Sequence, residues 1–169
     1  MTERLTSQSD ACSVRAARAD DCSVLLALIR EFAGEIGLVD GVDASEDGLR
    51  ESLFARRQAS VLLGECAGEA AGYALFFQSY STFQGTAALF LEDMYIRERY
   101  RKTGLGRAFF RAIAAEAERR GCPRVEWCCM DDNVNAIGFY RHIGARRLEG
   151  MGVYRIEGAP LAELARHAE

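Results

Sequence analysis

Apolar residues recur at helical spacing early in the chain, where Val24, Leu25, Leu28, Ile29, Phe32 and Ile36 form one stripe within "ADDCSVLLALIREFAGEIG". The spacing predicts a first helix, capped by Asp20 or Asp21 and ended at Gly37. The preceding "CSVRAAR" reads as a short first strand, and after the loop "VDGVDAS" a shorter helix carries Leu49, Leu53 and Phe54. Three strand-like runs follow: "SVLLGECA", turned at Gly68, then "AAGYALFFQSY", turned near Gly85, then "TAALFLEDMYIRE". They predict an antiparallel meander.

A helix is expected from about Gly104 to Arg120, with Leu105, Ala108, Phe109, Ala112 and Ile113 on its inner face. "RVEWCCM" is a fifth strand, reached from the fourth by a helical crossover and so expected to run parallel to it. "NVNAIGFYRHIG" reads as a short helix with Asn133 as cap and Gly144 as stop. "ARRLE" and "GVYRIEG" look like a terminal hairpin, and "APLAELARHAE" like a closing helix. The sum is an α/β fold: a mixed, mostly antiparallel sheet of about seven strands, flanked by helices. We expect a single domain over 12–169, after a polar, disordered tail over 1–11.

Composition narrows the class. A chain of 169 residues, 49% hydrophobic, can bury one core without staples. The N-terminal stretch lacks an apolar leader, and no run approaches the roughly 20 apolar residues of a membrane span. A soluble, cytoplasmic protein is expected. Cys12, Cys22, Cys66, Cys122, Cys128 and Cys129 include no C-x-x-C pair, and His142 and His167 sit in no ligand-like spacing. Reduced, mostly buried thiols and no metal are the expectation. The net charge of −4 argues against general nucleic-acid binding, yet "RERYRKTGLGRAFFR" packs Arg97, Arg99, Arg101, Lys102, Arg107 and Arg111 together. That local excess asks for a small phosphorylated ligand.

"RKTGLGR" stands where a strand feeds a helix. Such a turn leaves the first helical N–H groups pointing outward, and Gly104 and Gly106 let phosphates approach the backbone. Neither rival phosphate loop fits. A nucleotide-triphosphate loop wants Gly-Lys-Ser/Thr, whereas Arg107 and Ala108 follow Gly106; a dinucleotide fingerprint wants a third glycine where Phe109 stands. In "DNVNAIGFYRHIGA" the cap Asn133 and the phenol of Tyr140 fall on related faces of one short helix, although Phe139 and Tyr140 are also ordinary packing residues.

The turn "R-x-x-G-x-G" (Arg101, Gly104, Gly106) followed by "N-x-x-A-x-x-F-Y-x-x-x-G-A" (Asn133, Ala136, Phe139, Tyr140, Gly144, Ala145) resembles the GCN5-related N-acetyltransferase (GNAT) superfamily. Within it, "ADDCSVLLALIREFA", "LFLEDMYI" and "ERYRKTGLG" resemble the diamine/polyamine (spermidine/spermine-type) branch. The resemblance implies acetyl-CoA as cosubstrate and a fourth strand that bulges and splays from the fifth. Backbone groups around Met94, Tyr95 and Ile96 would then bond the pantetheine arm. The turn of Arg101, Lys102, Thr103, Gly104, Leu105, Gly106 and Arg107 would hold the pyrophosphate, with Asn133 and Ala136 also on the cofactor. Tyr140 falls on the family's general acid. Glu92 is implied in amine binding and water-relayed proton removal, with Asp93 beside it and Glu35 a further substrate-binding acid. A homodimer is implied too.

The chemistry supports these roles independently. An ammonium cannot attack until it loses a proton, and a phenol with pKa about 10 can protonate a departing thiolate. A bulge would let Glu92 and Asp93 both leave the core, where an unpaired charge is costly; the alternative is that they are ordinary edge-strand charges. An acetyl-cysteine route through Cys128 or Cys129 lacks a histidine nearby in sequence. The chain departs from the polyamine pattern at Ile36, which stands where an aromatic would help, and at Gly152, which stands where an acid would. The expected function is direct acetylation of a small primary amine: a diamine, a polyamine or a basic amino-acid analogue. Alternatives are a protein amine, an aminoglycoside, or a non-catalytic acyl-CoA sensor.

Overall fold

A computed structural model describes residues 12–166; the tail 1–11 and the segment 167–169, with His167, lie outside the described residues. Contacts gather into two compact units that divide between Met130 and Asp131.

The first unit is built on a five-stranded sheet in the order β1-β2-β3-β4-β5, from β1 (Cys12–Ala16), β2 (Ser60–Cys66), β3 (Glu69–Ser81), β4 (Thr86–Ile96) and β5 (Val125–Trp127). The first four strands pair antiparallel and β5 pairs parallel to β4, as the crossover requires. The crossover is α3 (Leu105–Arg119), whose Leu105, Phe109, Ile113 and Ala117 repeat every fourth residue and bury against Ala71, Ala74, Phe76, Leu89 and Leu91. On the opposite face α1 (Cys22–Glu35) sets Leu25 and Leu28 against Leu63, Tyr73 and Tyr95. Leu53, from the helical stretch α2 (Glu46–Leu49) that continues as a π turn over Arg50–Ala55, completes that layer. Each fully buried Leu or Phe contributes roughly 1.5–3 kcal/mol.

Three sequence expectations change. The hairpin over 145–158 is absent: no strand occurs there among the described residues, and Met151, Val153 and Tyr154 are exposed. Alternating pattern alone does not make a sheet, because a lone hairpin is marginal without a surface to cover. The sheet therefore has five described strands, not about seven. Cys12 and Cys66, expected as free thiols, form a disulfide across β1 and β2, where the register sets them opposite each other despite a separation of 54 residues. Finally, Asp21 stands at the start of α1 but turns its carboxylate backward, accepting the Arg18 N–H at 2.7 Å and gripping Arg15 through both oxygens.

The second unit holds α4 (Val134–His142) and α5 (Gly158–Arg166). The Asn133 side chain caps α4 by accepting the Ala136 N–H at 3.1 Å. No helix among the described residues is long and apolar enough to cross a membrane.

Candidate active site

Glu92 is the extra residue of a bulge. β3 and β4 pair as Leu75 with Asp93 and then as Phe76 with Leu91, so no β3 residue stands opposite Glu92. The β4–β5 ladder stops at the same point, its last partners being Leu91 and Trp127. From Glu92 to Ile96 that edge of β4 therefore faces no strand among the described residues.

Main-chain groups alternate along a strand. Tyr95 turns its carbonyl oxygen to β3, so close that a Cβ added to Gly72 would lie 2.2 Å from it. Met94 and Ile96 therefore turn theirs to the open side. There the Ile96 carbonyl accepts from Arg101 Nε at 2.9 Å.

The bulge also changes the phase of the side chains. Leu89 and Leu91 lie in the layer beneath α3, and Met94 and Ile96 pack on that same layer, while Tyr95 belongs to the layer beneath α1. Asp93 joins Tyr95 on the α1 side and accepts a long hydrogen bond, 3.4 Å, from the buried Tyr73 hydroxyl. Glu92 is exposed. The two acids thus separate: one reaches solvent and the other is half-buried beside two tyrosines.

Burial pushes the Asp93 carboxyl above the ordinary aspartate range; the Glu92 charge adds to the shift and the Tyr73 hydrogen bond opposes it. Between the ordinary value and this raised one, the folded chain holds a proton that the unfolded chain has released, so stability falls as pH rises through that window. Asp93→Asn should therefore raise the thermal midpoint near pH 7. The gain should disappear on acidification below about pH 3.9, where aspartate is protonated even in the unfolded chain. Equal midpoints for both proteins across that range would contradict the burial argument.

The glycine turn before α3 has the shape its sequence requires. Lys102 and Gly104 adopt φ of 66° and 94°, a left-handed pair that curls the main chain before α3. The first intrahelical bond runs from the Ala108 N–H to the Gly104 carbonyl, so Leu105, Gly106 and Arg107 present N–H groups with no helical acceptor. Leu105 buries its side chain and can offer only backbone. Lys102, Thr103 and Arg107 are exposed, although the Thr103 hydroxyl donates to the Tyr100 carbonyl at 2.8 Å. The disulfide-bonded Cys12 Sγ lies 3.5 Å from the same Thr103 oxygen.

Half of the basic cluster is matched by carboxylates. Arg97 is held by both oxygens of Glu31 at 2.7 Å, Arg99 by Glu69 at 2.5 Å, and Arg101 by Glu35. Lys102, Arg107 and Arg111 remain exposed. Glu35 also accepts the Tyr95 hydroxyl at 2.9 Å; burial, then this bond, push that phenol up to about 12. Arg97 holds the Glu31 carboxyl below the usual range.

In the second unit, Tyr140 sits half-buried in α4 beside Phe139, with ring centroids 5.8 Å apart. Asn133 and Ala136 are joined by the cap at that helix's start. The sequence reading missed Tyr73 and Glu31, and named Arg97 only as one of a basic cluster. The four-residue spacing of Glu31 and Glu35 on α1 was the available signal for one of them; nothing local marks Tyr73.

The overall fold is shared with solved structures. An integron cassette protein from the mobile metagenome of V. cholerae superposes with a TM-score of 0.76 at 22% identity, covering 92% of this chain and 98% of that one. A thialysine N-epsilon-acetyltransferase of Bos taurus is 35% identical over 164 residues, covering 90% of this chain and 96% of the relative. An L-ornithine N5-acetyltransferase of Arabidopsis thaliana is 40% identical over 91 residues, covering 54% of this chain and 40% of the relative. Residues 25–145, which take in the bulge, the glycine turn and the Asn133-to-Ala145 motif, match the Acetyltransferase (GNAT) family. The chain belongs to that family and is an N-acetyltransferase.

Proposed function

We propose that this N-acetyltransferase transfers an acetyl group from acetyl-CoA directly to the side-chain amine of a small basic amino acid or analogue, with diamines and polyamines as weaker acceptors. The observation that carries the reading is the coincidence at Glu92 of bulge, exposed carboxylate and loss of the β5 partner. The relatives acting on thialysine and ornithine support the choice of acceptor.

The residues fit a CoA thioester. The open side of β4 at Met94 and Ile96 suits an extended amide-bearing arm, and the first-turn N–H groups with exposed Lys102 and Arg107 suit a pyrophosphate. Acetyl-CoA would supply an activated acyl group whose sulfur is a good leaving group. Glu92 would attract the ammonium and accept its proton through water, exposing the nitrogen lone pair. Main-chain N–H groups of β4 would polarise the acyl oxygen. As the C–N bond forms and the C–S bond breaks, the nitrogen's second proton would pass to solvent, and Tyr140 would give its own proton to sulfur and regain one from the solvent side. A cytoplasmic homodimer belongs to the same reading, on family resemblance; the buried thiols Cys22 and Cys122 suit that compartment better than the Cys12–Cys66 bridge does.

Release of CoA across a panel of thialysine, ornithine, lysine, putrescine and spermidine tests the proposal. We expect the amino acids to lead; turnover with spermidine alone would overturn the acceptor assignment. Tyr140→Phe should lower kcat with the best amine by about 10²-fold, the low end for general acid catalysis, with little change in either KM. An unchanged kcat would remove Tyr140 from the role.

A further inference from the structure

Glu35 reads from sequence as an acid for the substrate amine and Arg101 as a cation for the cofactor, yet the two side chains bind each other. Both carboxylate oxygens of Glu35 are in use: Oε1 accepts the Tyr95 hydroxyl at 2.9 Å and Oε2 accepts from Arg101 Nη2. Arg101 in turn spans two parts of the cofactor groove. Its main chain begins the phosphate turn, and its Nε donates at 2.9 Å to the carbonyl of Ile96, the last residue of the open β4 edge. One turn earlier on α1, Glu31 grips Arg97, whose Nη1 also donates to the Ala70 carbonyl at 2.6 Å. The two glutamates thus tie α1 to both ends of the segment 97–101.

We infer that Glu35 is a positioning residue for the cofactor groove: it fixes Arg101, and through Arg101 the spacing between the β4 edge and the phosphate turn, and it is not a ligand of the amine. An ammonium drawn to Glu35 would have to share the carboxylate with Tyr95 and Arg101, and drawing it away from Arg101 would loosen the groove on which transfer depends. The energetic reason for the arrangement is preorganisation. A guanidinium bound at both ends keeps the turn in place before the cofactor arrives, so less ordering is left for binding to supply.

The inference rests on acetyl-CoA being the cosubstrate, and calorimetry of the full chain with CoA separates the two claims. Absence of CoA binding by the unaltered protein would defeat both. Given that binding, Glu35→Gln should weaken CoA about tenfold, or ~1.4 kcal/mol, raise KM for acetyl-CoA similarly, and leave KM for the amine within about twofold. Arg101→Gln should weaken CoA to a similar degree and, being an exposed change, keeps the test open should the Glu35 variant fold poorly. The double variant should be no weaker than Arg101→Gln alone, since Glu35 acts through Arg101. Glu35→Asp should recover part of the loss. A rise in amine KM with CoA affinity unchanged, additive losses in the double variant, or no change in either affinity would each overturn the inference.

Discussion

Glu92→Gln is expected to lower kcat/KM for the best amine by about 10²-fold near pH 7, within the range for removing a general base. The loss should shrink as pH approaches about 10.4, the ordinary value for an aliphatic amine, because the acceptor then arrives already deprotonated. The sign follows from what the carboxylate does. Below that pH most amine carries a proton that must go somewhere, and glutamine can hold the ammonium by a hydrogen bond but cannot accept its proton. Glu92 is suited to the task because the bulge places it outside both hydrophobic layers. Its neighbour Asp93 is half-buried, with a carboxyl pushed toward the neutral form, and is a poorer attractor of cations. Initial rates between about pH 6 and pH 10 check the expectation; a loss of equal size at every pH would mean that Glu92 only positions the amine.

Gly72→Ala should be the most damaging of the small substitutions in the sheet. The added Cβ would meet the Tyr95 carbonyl oxygen at 2.2 Å and the Ile96 Cα at 3.0 Å, both main chain, so β3 and β4 would have to part. We expect a cost of ~3 kcal/mol, the upper part of the overpacking range. In a chain of this length that is a fall of about 6–12 °C in the thermal midpoint. Gly64→Ala makes the useful comparison: its Cβ would meet the end of the Phe109 ring at 2.7 Å and the Leu105 methyls at 3.0 and 3.1 Å, side-chain atoms that can shift. Scanning calorimetry should rank Gly72→Ala as the worse of the two. The reverse ranking would mean that the sheet, not the layer under α3, absorbs the strain. On the proposed reading the Gly72 variant should also bind CoA poorly, because the displaced main chain runs into Ile96 on the open edge of β4.

The elements that sequence reading found are those whose signal is carried within the element. The four-residue repeat of Leu105, Phe109, Ile113 and Ala117 is a property of α3 alone, and the parallel pairing of β5 follows from the helix that precedes it. The glycine turn was legible for the same reason, since its backbone shape is written in Gly104. What was missed depends on partners distant in sequence. Cys12 meets Cys66 only because β1 and β2 settle in one register, and Glu35 meets Arg101 only because α1 lies over the end of β4. The run from Ala145 to Gly158 erred in the other direction. Alternation there is genuine, but strands need neighbours, and no strand occurs in it among the described residues.

Because the bulge adds one residue that β3 does not match, deletion of Glu92 would leave every neighbour on its present face. Leu91 would follow β3 as before, Asp93 would still turn toward α1, and Met94 toward α3. In evolutionary terms, insertion of one residue into a regular hairpin is enough to create the bulge that carries the candidate base, at no expense to the pattern that folds the sheet.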